Sequence, residues 1–305
     1  MMRALLLKLS HSPRMGRWMT GNPLGRRVAR RFVAGQTLDE AVVAARASNR
    51  AGMTVSLDLL GENVSSEADA QRARDTYLGI LDRIAQEKLD ANVSLKPTQL
   101  GLDLGDDVCQ RMIETIVERA ASYRSFIRID MEGSPYTQRT IELVKRIRAK
   151  TPAVGVVVQS YLYRSGQDVK DLIAAGCRIR LCKGAYKEPP SVAFPKKADV
   201  DANFVKLMQL LLASAGNTYH GIATHDPRMI DATKKFAAEK GIAQDQFEFQ
   251  MLYGIRTDLQ QQLVREGYRM RVYIPYGTEW FPYFMRRLAE RPANLMFFLR
   301  SLFRR

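Results

Sequence analysis

Two adjacent arginines, Arg286 and Arg287, follow the aromatic run WFPYF after one methionine, near the end of the chain. On a solvated helix face such a pair would carry no particular meaning, because charged pairs on helices usually face water. At the mouth of a pocket the same two guanidinium groups would form a clamp for a carboxylate, since each offers a planar fork of donors. The remaining sequence has to decide between these two interpretations.

Two further charged residues stand inside apolar runs that read as strands. Asp130 lies in SFIRIDM and Arg180 lies in RIRLCKG. Neither side chain can be buried at low cost without a partner of opposite charge or a set of hydrogen bonds. The sequence therefore predicts that both belong to a paired polar site.

Two lysines fall where predicted strands end. Lys96 follows ANVSL and Lys183 follows RIRLC. A lysine at this position raises the possibility of Schiff-base chemistry, as in an aldolase. Gly184 and Ala185 come after Lys183 and leave the backbone open to a bound group, which suits a cofactor phosphate equally well. Both interpretations are open on position alone.

The elements that must position these residues alternate along the chain. Eight short runs rich in β-branched residues are separated by segments with apolar residues at helical spacing. The strand candidates are MTVSLDLL, ANVSLKP, SFIRIDM, VGVVVQSYL, RIRLCKG, HGIATHD, EFQMLY and MRVYIPYG. This order predicts an α/β fold, a (βα)8 TIM-like barrel, more economically than a doubly wound sheet. Its functional residues are expected at the carboxyl ends of the strands.

The predicted organisation is a single domain with an N-terminal helical arm. We assign residues 1–52 to the arm, which packs on the barrel, and residues 53–305 to the catalytic barrel. The chain has 305 residues and a formal net charge of +15 at pH 7. Such an excess is compatible with nucleic acid, an anionic membrane surface or acidic ligands.

Cysteine and histidine usage argues against metal and disulfide sites. The three cysteines lack a C-x-x-C pair and the three histidines lack metal-ligand spacing, so we predict no metal and a reducing, cytoplasmic location. G-x-G-x-x-G, P-loop and G-x-S-x-G patterns are missing as well, which argues against the corresponding nucleotide and serine-hydrolase sites.

Eight motifs in a fixed order carry a resemblance to a known family. They are VSLKP, RIDME, QSYLYR, RLCKGAY, ATHD, FEFQMLYG, RVYIPYG and YFMRRLAERPAN, and the resemblance runs from about Leu57 to Asn294. This pattern resembles the proline dehydrogenase family, of the monofunctional bacterial type. The resemblance implies a distorted (βα)8 barrel, noncovalent FAD, and oxidation of L-proline to Δ1-pyrroline-5-carboxylate by hydride transfer to flavin N5. It also implies a quinone as electron acceptor, in the first step of proline breakdown to glutamate.

The same resemblance implies roles for individual residues of this sequence. Asp130 and Arg180 match catalytic positions, with Arg180 near flavin N5. The residues implied in substrate binding are Lys96, Leu252, Tyr273, Arg286 and Arg287, of which the two arginines match the carboxylate-binding pair. The residues implied in cofactor binding are Met131, Gln159, Lys183, Gly184, Ala185, Thr224 and His225. Asp130 is expected to hydrogen-bond Tyr273 or to pair with a cation, and Glu290 to hold Arg286 from the same helix face.

Three alternatives remain beside this hypothesis. Hydroxyproline or another cyclic imino acid could be the substrate, although Tyr273 argues against hydroxyproline because specialised relatives resemble this pattern with a smaller residue there. Nucleic-acid binding rests on charge alone, and we predict none. The C-terminal NLMFFLRSLFRR fits either a barrel helix or a basic helix on the inner face of an anionic membrane. The chain lacks a fused aldehyde dehydrogenase sequence, so a separate enzyme is expected to oxidise the product.

Overall fold

The structure is a computed structural model that describes residues 29–61 and 64–290, together with positions 21 and 25. Of Arg286 and residues 288–290 it describes the backbone and not the side chains. The predictions for the Arg286 side chain, for its partner Glu290 and for the C-terminal NLMFFLRSLFRR therefore lie outside the described residues. In the part that is described, no helix combines the length and the apolar character needed to cross a membrane.

Eight parallel strands close into a barrel in chain order. The strands are β1 (Thr54–Leu59), β2 (Ala91–Leu95), β3 (Ile127–Ile129), β4 (Val154–Gln159), β5 (Arg178–Cys182), β6 (His220–Ala223), β7 (Phe247–Leu252) and β8 (Arg269–Tyr276). The barrel closes where β1 pairs with β8, with Leu57 opposite Ile274. All eight predicted strands are present, and the predicted (βα)8 fold is confirmed.

One helix follows each strand, and among the elements with described bounds another lies before the barrel. The helices are α1 (Leu38–Arg50), α2 (Glu67–Gln86), α3 (Asp106–Ser122), α4 (Ser134–Arg148), α5 (Ser165–Ala174), α6 (Lys197–Ala213), α7 (Pro227–Glu239), α8 (Thr257–Arg265) and α9 (Trp280–Glu290). A 3-10 turn, Pro97–Leu100, directly follows β2. Helix α1 begins with a capping box, in which Thr37 and Glu40 exchange hydrogen bonds through their side chains and backbones, as the Thr-x-x-Glu pattern requires.

The apolar core lies between the barrel and its helices. Outward-facing strand residues such as Leu57, Leu95 and Phe249 are completely buried there. The barrel interior is different, because polar and charged side chains fill space that barrels usually pack with branched aliphatic residues. Two inward glycines make this possible. A Cβ at Gly155 would overlap the guanidinium group of Arg128, and a Cβ at Gly221 would overlap the side-chain amide of Gln250.

The segment before the barrel contacts its last helix. Ala29, Phe32 and Val33 form one buried apolar cluster with residues of α9, including Trp280 and Phe284. The rings of Phe32 and Phe284 lie 6.0 Å apart. This packing fixes the helix that carries Arg287. The division of the chain at residues 52 and 53 stays a prediction.

His220 on β6 is buried as a neutral imidazole. Its Nδ1 accepts a hydrogen bond from the Ile179 N–H at 3.2 Å, and its Nε2 lies 3.0 Å from Ser214 Oγ. Burial and the nearby Arg128 lower the pKa of His220 to about 3. In the unfolded chain the pKa of histidine returns to about 6.5. Between these values the unfolded state binds the extra proton, so stability falls as the pH falls.

We therefore expect His220 to make the protein acid-sensitive. From pH 6 to pH 4 the free energy of unfolding of the wild type should fall more steeply than that of His220→Asn, by about 1.4 kcal/mol per pH unit. Asparagine can still accept the Ile179 hydrogen bond but does not titrate. Urea unfolding at a series of pH values measures both slopes. Parallel slopes for the two proteins would contradict this assignment.

Candidate active site

A cavity of about 620 Å³ opens at the carboxyl ends of the barrel strands. The described side chains predicted for the site all line it, although they are scattered from residue 96 to residue 287. They are Lys96, Asp130, Met131, Gln159, Arg180, Lys183, Gly184, Ala185, Thr224, His225, Leu252, Tyr273 and Arg287. The remaining predicted residue is Arg286, whose side chain is not described.

Arg180 is the centre of a buried hydrogen-bond network. Its Nε donates to Gln250 Oε1 at 2.5 Å, and its Nη1 lies 3.0 Å from Asp130 Oδ1. Ser94 Oγ and Ser56 Oγ complete the set at 3.1 and 3.2 Å. Three strands and the residue that follows β3 thus hold one guanidinium group in a single orientation. The sequence-based expectation of a partner for both buried charges is met by the Asp130–Arg180 pair.

Asp130 also fixes Tyr273. The Tyr273 hydroxyl donates to Asp130 Oδ2 at 2.7 Å, and the guanidinium carbon of Arg180 lies 5.1 Å from the centre of the Tyr273 ring. Burial and the Asp130 carboxylate raise the pKa of Tyr273 well above its ordinary value, so the phenol keeps its proton and acts as a donor. The Asp130 carboxylate accepts hydrogen bonds from both Tyr273 and Arg180. The sequence analysis gave a hydrogen bond to Tyr273 and a pairing with a cation as alternatives, and both are present.

Lys96 forms a buried ion pair that the sequence analysis missed. Its Nζ lies 2.8 Å from Asp58 Oδ1 on β1, and both side chains are almost inaccessible to solvent. Burial alone would lower the pKa of Lys96, but the carboxylates of Asp58 and Asp130 raise it. A lysine held in this way stays charged and is not a nucleophile, which counts against the aldolase interpretation. Asp58 stands in the apolar run SLDLL, the same signal that identified Asp130.

This pair gives a stability prediction. Asp58→Asn leaves the Lys96 ammonium without its closest carboxylate, and we expect a loss of about 3–5 kcal/mol in the free energy of unfolding. The double variant Asp58→Asn/Lys96→Met should recover much of this loss because it removes the unpaired charge. Asp75→Asn, which breaks the more exposed Arg74–Asp75 pair, should cost less than about 1 kcal/mol. Urea unfolding measures all three, and equal losses for Asp58→Asn and the double variant would contradict the prediction.

The residues predicted to bind the cofactor line the same cavity. Gln159 uses both ends of its amide, donating to the Glu132 carbonyl at 3.0 Å and accepting from the Ala185 N–H at 3.4 Å. Gly184 has φ +116°, and a Cβ there would overlap the ring of Tyr161. The turn after β5 therefore needs glycine at this position.

A mixed-charge cluster borders this turn. Lys183 Nζ lies 2.5 Å from Asp201 Oδ1 and 2.9 Å from Asp226 Oδ2, and Lys197 and Arg228 contact the same two carboxylates. Three cations thus face two anions, which leaves one net positive charge beside the cavity.

The His225 side chain is held by the backbone of β7. The Leu252 N–H donates to His225 Nε2 at 2.9 Å, which places the imidazole hydrogen of a neutral His225 on Nδ1.

Arg287 enters the cavity from α9. The side chain is buried, with its guanidinium carbon 5.0 Å from the centre of the Tyr283 ring. The guanidinium group is thus placed over an aromatic face in a water-poor setting, where a charge-assisted bond to a carboxylate is strong. Of the two interpretations of the arginine pair, the solvated face is wrong for Arg287.

The chain matches known proteins along most of its length. The family model described as proline dehydrogenase matches residues 41–300. Proline dehydrogenase 1 of Bacillus subtilis (strain 168) is 41% identical over 307 residues, which cover 100% of both chains. The chain belongs to the proline dehydrogenase family. The prediction of a proline dehydrogenase enzyme is thereby confirmed.

Two further relatives support the same assignment of family and fold. The proline dehydrogenase of Deinococcus radiodurans is 42% identical over 280 residues, covering 90% of each chain. The crystal structure of proline utilization A from Bdellovibrio bacteriovorus, inactivated by N-propargylglycine, superposes with a TM-score of 0.82 at 27% identity. That alignment covers 87% of this chain and 33% of the longer one.

Proposed function

We propose that this member of the proline dehydrogenase family oxidises L-proline to Δ1-pyrroline-5-carboxylate with noncovalent FAD and passes the electrons to a quinone. In this proposal the reaction is the first step from proline to glutamate, and a separate dehydrogenase oxidises the product. The observation that carries the proposal is the arrangement of Asp130, Arg180, Tyr273 and Arg287 around one cavity at the carboxyl end of the barrel.

The donor set on one side of the cavity fits FAD. Lys183 and Lys197 bring cations to a region with one net positive charge, as a pyrophosphate requires. Gln159 lies at the strand end, and its hydrogen bond from the Ala185 N–H holds the turn at Gly184 and Ala185 beside the cavity. We assign cofactor binding to these residues together with Met131, Thr224 and His225. Bound FAD would supply a two-electron acceptor for a hydride.

The other side of the cavity fits a small imino acid. Arg287 is assigned to the substrate carboxylate, with Arg286 as its predicted second fork. Tyr273 presents an aromatic face for the proline ring, and Leu252 adds an apolar wall. Lys96 contributes a fixed positive charge whose partner is already Asp58. Among the described residues that line the cavity, cations outnumber carboxylates, which favours an anionic substrate.

For hydride transfer the protein must orient the substrate and stabilise the developing charge, and it has little need of a general acid or base. Arg180 provides a cation that does not lose its proton, and its four hydrogen-bond partners prevent it from turning away. The surrounding cations also disfavour a protonated substrate amine, and the amine must be neutral before its ring carbon gives up hydride. Asp130 holds both Arg180 and Tyr273, so one carboxylate aligns the charge and the ring contact.

The electron acceptor and the membrane contact are proposed from features outside the cavity. The quinone follows from the family and the membrane contact from the net charge of +15. A cytoplasmic location with peripheral contact at the inner face of the membrane stays a prediction. A proline-dependent activity that survives high salt, with no retention of the protein on DNA, would separate this function from nucleic-acid binding.

The proposed function is tested by steady-state turnover. Protein purified with added FAD should reduce a soluble quinone when L-proline is supplied and should form Δ1-pyrroline-5-carboxylate in equal amount. Trans-4-hydroxy-L-proline should react much more slowly because Tyr273 occupies the space of its hydroxyl group. No product from L-proline would refute the proposal, and equal rates for the two substrates would refute the assigned specificity.

A further inference from the structure

A second cavity of about 590 Å³ lies at the opposite end of the barrel. It opens beside the start of β2, at Asn92, and beside the residues that precede β3, including Phe126. We call it the basal cavity. Because the strands are parallel, it is separated from the candidate active site by the length of the barrel. The proposed function uses none of its residues.

The basal end of the barrel carries more positive than negative charge. The guanidinium carbons of Arg128, Arg178 and Arg271 lie 5.2, 5.0 and 5.8 Å from the centre of the Phe126 ring. Arg271 has a carboxylate partner, with its Nε 2.7 Å from Glu248 Oε1. Within the described residues, neither of the other two has a carboxylate at ion-pair distance.

Arg128 is the most isolated of these cations. It is 1% exposed, its Nη1 donates to the carbonyls of Val156 and Arg178, and its Nε has no hydrogen-bond partner among the described atoms. Burial and repulsion from Arg180 and Arg271 lower the pKa of Arg128. Because a guanidinium group keeps its proton in proteins, these forces remain as unfavourable electrostatic energy, which the Glu248 carboxylate offsets in part. Arg128 itself does not line the basal cavity and adds only to the positive charge behind it.

Two more cations line the basal cavity at its rim. Lys88 and Arg124 both adopt left-handed backbone conformations, with φ 51° and 56°. Each follows the end of a helix, where glycine usually fills this conformation at lower cost. The chain instead carries a positive side chain at both positions. Asp90 is the one carboxylate among the lining residues, and it is outnumbered by Lys88 and Arg124, since Arg271 already pairs with Glu248.

Apolar side chains make up another part of the lining. They are Leu81, Ile84, Leu89 and Phe126, and the Phe126 ring lies against Arg271. A cavity of this size accommodates a small organic molecule. We propose that the basal cavity binds a small organic anion with an apolar body, such as an aliphatic carboxylate, whose charged group lies towards Lys88, Arg124 and Arg271.

The proposal is tested with hexanoate by isothermal titration calorimetry on the full chain. Acetate carries the charge without the apolar body, and 1-hexanol carries the body without the charge. Hexanoate should bind, and both controls should bind at least about tenfold more weakly at matched ionic strength. Lack of hexanoate binding, or equal binding of 1-hexanol, would overturn the proposal.

Variants locate the bound anion. Lys88→Gly/Arg124→Gly removes two rim cations and places glycine where the backbone favours it, so the fold should be as stable as before. Hexanoate affinity should fall by about tenfold in this variant. Arg287→Lys alters the carboxylate site in the other cavity and should leave the affinity unchanged. If Arg287→Lys abolishes binding, or the glycine variant binds like the wild type, hexanoate does not occupy the basal cavity.

Discussion

Replacing Arg287 with lysine should raise the KM for L-proline by about 100-fold, which corresponds to about 2.7 kcal/mol of lost binding. Lysine keeps the charge but loses the planar fork and the stacking over the Tyr283 ring, whose centre lies 5.0 Å from the guanidinium carbon. Such a substitution is not conservative at a stacked or two-pronged site. Steady-state kinetics at saturating FAD gives the KM, and titration of the flavin-free protein gives the FAD affinity.

Arg256→Lys is the matched control for this variant. Arg256 lines the same cavity but pairs with the exposed Asp258 at 3.0 Å. We expect its KM for proline to stay within about threefold of the wild-type value. If both arginine-to-lysine changes raise the KM equally, the loss does not depend on which guanidinium group is replaced, and Arg287 is not the specific carboxylate ligand.

Asp130→Ala should lower kcat/KM by about 1,000-fold. The change leaves the buried Arg180 without its carboxylate and the Tyr273 hydroxyl without its acceptor. Breaking one side of a buried pair costs about 3–5 kcal/mol, and the resulting freedom of Arg180 and Tyr273 should appear mainly in the rate of the reductive half-reaction. Stopped-flow mixing with L-proline measures that rate directly.

A double-mutant cycle separates this network from simple loss of folding. Tyr273→Phe removes the hydroxyl and keeps the ring, so we expect a loss of about tenfold. Once Asp130 is alanine, adding Tyr273→Phe should cost little more, because the shared hydrogen bond is already gone. Independent, additive losses would show that Asp130 and Tyr273 do not act together.

The periodicity of the sequence and its isolated charges predicted the fold and part of the candidate site. Alternating β-branched and helical segments predicted the eight strands, because each barrel strand must be apolar on its outward face. Asp130 and Arg180 were identified since a charge inside an apolar run requires a partner. That the two residues pair with each other was not predictable. Strands β3 and β5 are separated by β4 in the sheet, and the contact between Asp130 and Arg180 depends on how far each side chain reaches into the barrel.

The residues that escaped prediction have ordinary local sequences. Ser56, Ser94 and Gln250 support Arg180 from three different strands, yet a serine or glutamine in a strand gives no signal of its own. Their roles follow from the polar interior of the barrel, which depends on Gly155 and Gly221. Asp58 is a different case, since the rule that identified Asp130 applies equally to SLDLL.

The central claim is that this cavity oxidises L-proline with a bound flavin, and an anaerobic titration tests it most directly. The purified protein, loaded with FAD and freed of oxygen, is titrated with L-proline while its visible absorbance is recorded. We expect the oxidised-flavin band to bleach and Δ1-pyrroline-5-carboxylate to appear in step with it. If the protein holds FAD and keeps the full band at saturating L-proline, the proposed function is wrong.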